Sequence, residues 1–308
     1  METLVAKVLT QIGAVVMGKP HQIKLALSCL LAKGHILIED LPGMGKTTLA
    51  QVLSKTLGLS YQRTQFTSDL MPSDVIGISI FEQASNQFVL HKGPIFNQVV
   101  LADEINRASP KTQSALLEAM EEHQVSIDGI THPLPLPFFV IATQNPLFHS
   151  GTNPLPESQL DRFMMRISIG FPSVQAEREI LLAQELHQKV ENIGPILSGE
   201  QLKSLQEAVE NVSVNEQIID YIIGLCRYSR RDVFNGNPLS PRAGKSLLKA
   251  AKAWAFIDNR DYVSPDDVQA VFPSVCEHRL DAGINTIDQV SDVLSKTILE
   301  RVDVLNPL

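Results

Sequence analysis

Apolar residues in the first half of the chain form short runs separated by stripes at helical spacing. Ile23, Ala26, Leu27, Leu30 and Leu31 make one such stripe, followed by the apolar strand His35-Ile36-Leu37-Ile38. A glycine-rich turn then opens a second helix with Leu49, Val52, Leu53, Thr56 and Leu57 on one face. Val99-Val100-Leu101-Ala102 and Phe138-Phe139-Val140-Ile141-Ala142 are continuous apolar runs, as strands buried on both faces require, and Arg166-Ile167-Ser168-Ile169 is a shorter one. Between them Ser109-Pro110 supplies an N-cap and a first-turn proline for a helix through Leu116, Leu117 and Met120. Strands alternating with helices predict a parallel sheet with helices on both faces.

Two stretches interrupt that alternation. Residues 76–81 and 87–91 read as strands joined around Ala84-Ser85-Asn86, and 124–134 contain Asp128-Gly129 between strand-like residues, a hairpin signal. Both are expected as hairpins inserted into the α/β core, with surface decoration the plainer alternative. After Phe171-Pro172 the strands stop. Leu181, Leu182, Leu202, Leu205, Ile218, Ile219, Ile222, Leu247 and Leu248 carry helical spacing, and Ser264-Pro265-Asp266-Asp267 starts a late helix with carboxylates in its first turn. The expected division is an α/β core over 1–172 and an all-helical domain over 173–308.

Composition narrows the function. The 308 residues are 44% hydrophobic and 19% charged, which is a globular rather than a disordered balance. A formal charge of -8 and a pI near 5.5 provide no general attraction to nucleic acid or anionic lipid, so neither is expected as a partner. Three scattered cysteines and histidines without HxxxH or HExxH spacing give no disulfide framework and no transition-metal site, which fits a reducing cytoplasm. The N-terminus has helical spacing at Val5, Val8, Leu9 and Ile12 and does not resemble a signal peptide. Leu25–Ala32, bracketed by Lys24 and Lys33, is too short to span a bilayer.

Chemistry enters at strand ends. The strand closing at Glu39 leads into Asp40-Leu41-Pro42-Gly43-Met44-Gly45-Lys46-Thr47-Thr48, a strand, glycine turn and helix start. Such a turn curls backbone N–H groups around phosphates, and the helix start adds favourable partial charge. Pro42, Gly43, Met44, Gly45, Lys46, Thr47 and Thr48 are therefore candidate nucleotide contacts, with Lys46 on the phosphates and the Thr47 hydroxyl on Mg²⁺. Asp40 stands where such loops usually begin with glycine, and is expected to face away from the phosphates.

The run 99–102 ends in Asp103-Glu104. At the end of a strand in the same sheet, Asp103 is suited to hold Mg²⁺ through water and Glu104 to act as general base toward the attacking water. Asn145, after the strand 138–142, is either a γ-phosphate or water contact or an Asn-Pro turn. Arg162 in Leu160-Asp161-Arg162-Phe163 is either a helix-end arginine or a finger reaching ATP on a neighbouring subunit. Arg242, in Ser240-Pro241-Arg242-Ala243, lies just inside a helix start, where it opposes the macrodipole and calls for another reason, such as phosphate contact.

On these residues the chain resembles the MoxR family of AAA+ ATPases nearly end to end, most tellingly at 101–108, 142–146, 160–163 and 240–243, with 260–268 fitting the family's late helices. The resemblance implies an AAA+ core followed by a small helical lid. It makes Lys46 and Thr47 Walker A residues, Asp103 and Glu104 Walker B, Asn145 sensor 1, Arg162 the arginine finger and Arg242 sensor 2. It further implies ATP and Mg²⁺, a homo-oligomeric ring of hexamer type, pore-facing hairpins, and chaperone-like remodelling or metal loading of client proteins beside a von Willebrand factor A domain partner. A DNA-acting AAA+ motor, a magnesium-chelatase-like subunit and a non-hydrolysing sensor are the alternatives. The acidic balance opposes the first, and the pairing of Glu104 with Arg162 opposes the last.

Overall fold

The computed structural model of the chain describes residues 2–145, 153, 155–182, 190–281 and 293–308. Two helices, α1 (Glu2–Gly13) and α2 (Pro20–Leu31), precede the first strand, β1 (Ile36–Glu39). Then follow α3 (Lys46–Thr56), β2 (Tyr61–Gln65), the short α4 (Pro72–Ile76) and the hairpin β3 (Gly77–Glu82) and β4 (Gln87–Lys92). β5 (Val99–Asp103) leads to α5 (Pro110–Glu122), a second hairpin of β6 (Gln124–Ile127) and β7 (Ile130–Pro133), and β8 (Phe139–Gln144). A single turn, α6 (Glu157–Leu160), comes before the last strand, β9 (Met165–Ile167).

β2, β5, β8, β1 and β9 form one five-stranded sheet in that order, and all its pairings are parallel. Alternate residues of the buried strands enter separate cores. Ile36, Ile38, Val99, Leu101, Phe139 and Ile141 pack on one face, whereas Leu37, Val100, Ala102, Val140 and Ala142 pack on the other. This is the period-two geometry of a strand, and it explains why these runs are apolar throughout. The second face is covered by α5 through Leu116, Leu117 and Met120. Ser109 caps α5 as its sequence predicts, accepting a hydrogen bond from the Thr112 amide.

Both predicted hairpins are present. In the second, Asp128 and Gly129 take φ of 52° and 80°, the pair of positive values that a tight two-residue turn needs. The first begins one residue later than expected, because Ile76 closes α4 instead of opening the strand.

Beyond β9 the described elements are helices: α7 (Val174–Leu182), α8 (Gly199–Glu210), α9 (Glu216–Tyr228), α10 (Pro241–Ile257), α11 (Pro265–Leu280) and α12 (Val293–Arg301). Leu202, Leu205, Tyr221, Leu247 and Phe272 join the same apolar cluster as α1, α2 and the first sheet face. Leu181 and Leu182 are helical as their spacing predicts, yet they are 81% and 73% exposed. At the start of α11 the Asp267 carboxylate accepts from the backbone and hydroxyl of Ser264 and from Arg260, so the expected cap is reinforced by an ion pair. No helix among the described residues is long and apolar enough to cross a membrane.

Candidate active site

The parallel sheet gathers the ends of β1, β5 and β8 along one edge, and the predicted groups follow from those ends. Gly43 and Gly45 both have φ of 85°, and a Cβ built on either would meet nothing within 4 Å. Glycine is needed there for its backbone conformation and not for lack of space. Gly45 caps α3, and Lys46 is its first residue.

The Lys46 ammonium donates to the Asp40 carbonyl oxygen at 2.7 Å and to Asn145 Oδ1 at 3.1 Å. Burial pushes its pKa down, against the opposing pull of Asp40, Asp103, Glu104 and Glu39. Asp40 itself is turned aside. Its carboxylate accepts from the Ser168 hydroxyl at 2.8 Å and from the backbone amides of Ile169 and Gly170, just after β9. A carboxylate with that many donors is a structural tie, which explains how the loop tolerates it in place of glycine.

Asp103 and Glu104 are linked through Thr143. The Thr143 hydroxyl donates to Asp103 Oδ1 at 2.6 Å and accepts from the Glu104 amide at 2.9 Å. Glu104 takes φ 57° and ψ 50°, a left-handed conformation that non-glycine residues seldom adopt and that clusters at functional sites. Its carboxylate accepts from Asn145 Nδ2 at 2.9 Å, Gln65 Nε2 at 3.1 Å and Arg107 Nη1 at 2.8 Å. Asn145 thereby touches both Glu104 and Lys46, a bridging role that a free Asn-Pro turn would not have. Asn106 is fully buried and donates to the Asn145 carbonyl oxygen at 3.3 Å.

The Asp103 carboxylate also accepts two hydrogen bonds from Arg63 on β2, at 3.0 and 2.6 Å. The Thr47 hydroxyl and the Asp103 carboxylate are hard oxygen donors of the kind Mg²⁺ takes. No group of three or more His, Cys, Asp or Glu side chains that could hold a metal occurs among the described residues. The donor set therefore fits a magnesium ion carried largely by nucleotide and water.

Arg162 and Arg242 are elsewhere. Ile36 at the start of β1 pairs in parallel with Met165 at the start of β9, so Arg162 precedes the strands at the end of the sheet opposite Lys46. Arg242 joins it there. Both arginines pair with Glu121 at the end of α5, Arg162 at 3.3 Å, and Arg242 also reaches Asp161 at 3.6 Å. Lys33, Gly34 and His35, which lead into β1, line a cavity together with these arginines and carboxylates. These carboxylates give the arginine in the first turn of α10 a local partner. The structure thus brings Lys46, Asp103, Glu104 and Asn145 together and leaves Arg162 and Arg242 as a second group. Sequence reasoning assigned no role to Arg63, Gln65, Thr143 or Glu121.

Residues 35–165 match the family described as ATPase family associated with various cellular activities (AAA), and 237–298 match an AAA lid domain. Chaperone MoxR1 of Mycobacterium tuberculosis is 40% identical over 298 residues, covering 94% of this chain and 78% of that protein. The chain belongs to the MoxR family of AAA+ ATPases. A further relative, the uncharacterized protein YeaC of Bacillus subtilis, is 46% identical over 280 residues, 91% of this chain and 88% of that one. A crystal structure assigned as an ATPase from Cytophaga hutchinsonii superposes with a TM-score of 0.87 at 36% identity, covering 98% of this chain and 95% of its own. The MoxR fold accounts for both halves of the chain, the parallel-sheet core and the helical lid.

Proposed function

We propose that this MoxR-family chain hydrolyses ATP with Mg²⁺ at contacts between its own copies, arranged as a ring of hexamer type. The division of the charged groups between two ends of the sheet carries this reading. β1 spans Ile36–Glu39, about 13 Å at the usual rise, and it separates Lys46 from Arg162. Arg162 is thus poorly placed for its own phosphate loop and well placed to meet a neighbour's.

In this reading residues 1–172 hold the nucleotide and 173–308 form the lid. The backbone of Pro42–Gly45, with Met44 at its crown, cradles the phosphates, while Thr48 stands in the first turn of α3 beside the Lys46 ammonium and the Thr47 hydroxyl. Asp103 would hold the magnesium ion through water. Glu104 accepts the proton of the attacking water, which Asn145 aligns with the γ-phosphate. Arg162 and Arg242 stabilise charge on the transferring phosphoryl group from the neighbouring copy.

The cycle serves remodelling or metal loading of client proteins in the cytoplasm, beside a von Willebrand factor A domain partner. A chaperone name on the 40% identical relative supports the client role, and the family resemblance supports the partner. The test is ATP turnover against protein concentration, with light scattering on the same samples. Specific activity should rise as assemblies form, and Arg162→Ala should bind ATP but not hydrolyse it. Full specific activity in a strictly monomeric sample would sink the intersubunit mechanism.

A further inference from the structure

Arg279 lies in the last turn of α11, and its side chain is only 5% exposed. Its Nε donates to Asp161 Oδ1 at 2.6 Å, and its Nη2 to the carbonyl oxygens of Asp161 at 3.1 Å and Phe163 at 2.8 Å. Nη1 donates to the Met164 carbonyl oxygen at 3.2 Å and to that of Val275, one turn back in the same helix. Every N–H of the guanidinium is therefore used. Four of these bonds end on Asp161, Phe163 and Met164, so they enclose Arg162 from both sides.

Other hydrogen bonds complete the restraint. The Arg162 amide donates to the Gln159 carbonyl oxygen at 3.2 Å, and the Phe163 amide to that of Leu160 at 3.1 Å. With the Asp161 carbonyl held by Arg279, both peptide planes beside Arg162 are fixed, and its φ and ψ with them. Those dihedrals set the direction in which the side chain leaves the backbone. His278, next to Arg279, adds a second hold on the Phe163 carbonyl oxygen through Nε2 at 3.2 Å.

The Phe163 ring is fully buried in the core face covered by α5, which anchors where the segment lies. Apolar packing of that kind is non-directional and cannot turn a carbonyl group. Burying a guanidinium is costly in solvation, and apolar contacts alone would join α11 to the sheet without that cost. What the planar fork of Arg279 adds is the orientation of the peptide units. No donor of Arg279 is left for a ligand, so its charge acts on the protein itself.

We propose that Arg279 is a positioning residue for Arg162: from the helical domain it turns the backbone at 161–164 so that the Arg162 side chain projects toward a neighbouring copy. The inference rests on the intersubunit reading above.

Two measurements test it. The first is amide hydrogen exchange over residues 160–164, read against β1 in the same chain. Arg279→Gln should speed exchange in 160–164 about tenfold and leave β1 unchanged. Arg279→Lys keeps the positive charge beside Asp161 without the fork, and should show the same local change if the glutamine chain does not fold. Unchanged exchange in 160–164 overturns the proposal.

The second is turnover in mixtures. Lys46→Ala chains supply Arg162 and Arg162→Ala chains supply a working loop, so together they should regain ATP hydrolysis. Adding Arg279→Lys to the Lys46→Ala partner should lower that recovery about tenfold, within the roughly hundredfold that a 1 Å misplacement can cost. Added to the Arg162→Ala partner, it should lower recovery less than twofold. A merely structural role would lower recovery equally from either partner, and that result overturns the proposal. No recovery in the parent mixture, while the unsubstituted chain turns over ATP, would reject the intersubunit reading itself. The exchange result then still decides whether Arg279 holds the segment.

Discussion

Asn145 donates through Nδ2 to the Glu104 carboxylate at 2.9 Å, and its Oδ1 accepts from the Lys46 ammonium at 3.1 Å. One amide thus fixes the distance between the proposed general base and the proposed phosphate ligand. Replacing it with a carboxylate of the same shape removes the donor and sets two acids against each other. Asn145→Asp should lower turnover about a hundredfold and leave nucleotide affinity within a few-fold of normal. Steady-state ATPase rates alongside equilibrium nucleotide binding check this, and an equal loss in both would assign Asn145 to binding.

Asp40 invites a counterintuitive substitution. Asp40→Gly would restore the glycine with which phosphate loops usually begin, yet it removes the acceptor for the Ser168 hydroxyl and two backbone amides. Stability should fall by about 2–4 kcal/mol, since buried donors lose a charged partner. Urea unfolding of both chains measures the difference. An unchanged midpoint would mean that water replaces the carboxylate at no cost.

Acid should weaken the fold through His35. This buried ring accepts from the Val140 amide at Nδ1 and faces the Met120 carbonyl oxygen at Nε2, an arrangement suited to the neutral ring. Burial lowers its pKa from 6.5 to about 4. Between those values the unfolded chain takes up a proton that the folded chain refuses. The stabilisation is therefore complete above pH 6.5 and declines as pH falls toward 4, by at most about 3 kcal/mol. Unfolding at pH 7 and pH 5 should reveal the slope in the native chain and a shallower one in His35→Gln.

Arg63 would compete with a magnesium ion for Asp103. Its two hydrogen bonds offset the charge of the carboxylate that the proposed magnesium site needs, and its side chain is 49% exposed. Arg63→Gln should lower the Mg²⁺ concentration for half-maximal nucleotide binding about threefold, the scale of a partly exposed ion pair. A magnesium titration with a fluorescent nucleotide reads this directly. A higher requirement would make Arg63 a supporting residue instead of a competitor.

What the sequence reveals depends on how local the cause is. Asp103 and Glu104 stand out because they close an apolar run, and Asp128-Gly129 stands out because its turn needs positive φ. β2 does not. Its Tyr-Gln-Arg-Thr-Gln sequence lies at the sheet edge, with half-buried and exposed residues and no apolar alternation. Arg63 and Gln65 reach Asp103 and Glu104 from about forty positions away, and nothing in their spacing announces it. Glu121 likewise reads as an ordinary solvated helix-end acid until α10 lays Arg242 against it.

The opposition of Lys46 and Arg162 across the sheet gives the molecule a front and a back. Surfaces that fit each other but differ in kind join copies head to tail, and such joining either closes on itself or continues indefinitely. An open row of n copies would have one loop without arginines and one arginine pair without a loop, and only closure removes both loose ends. On the proposed mechanism, the turnover each copy achieves reports whether the circle is complete.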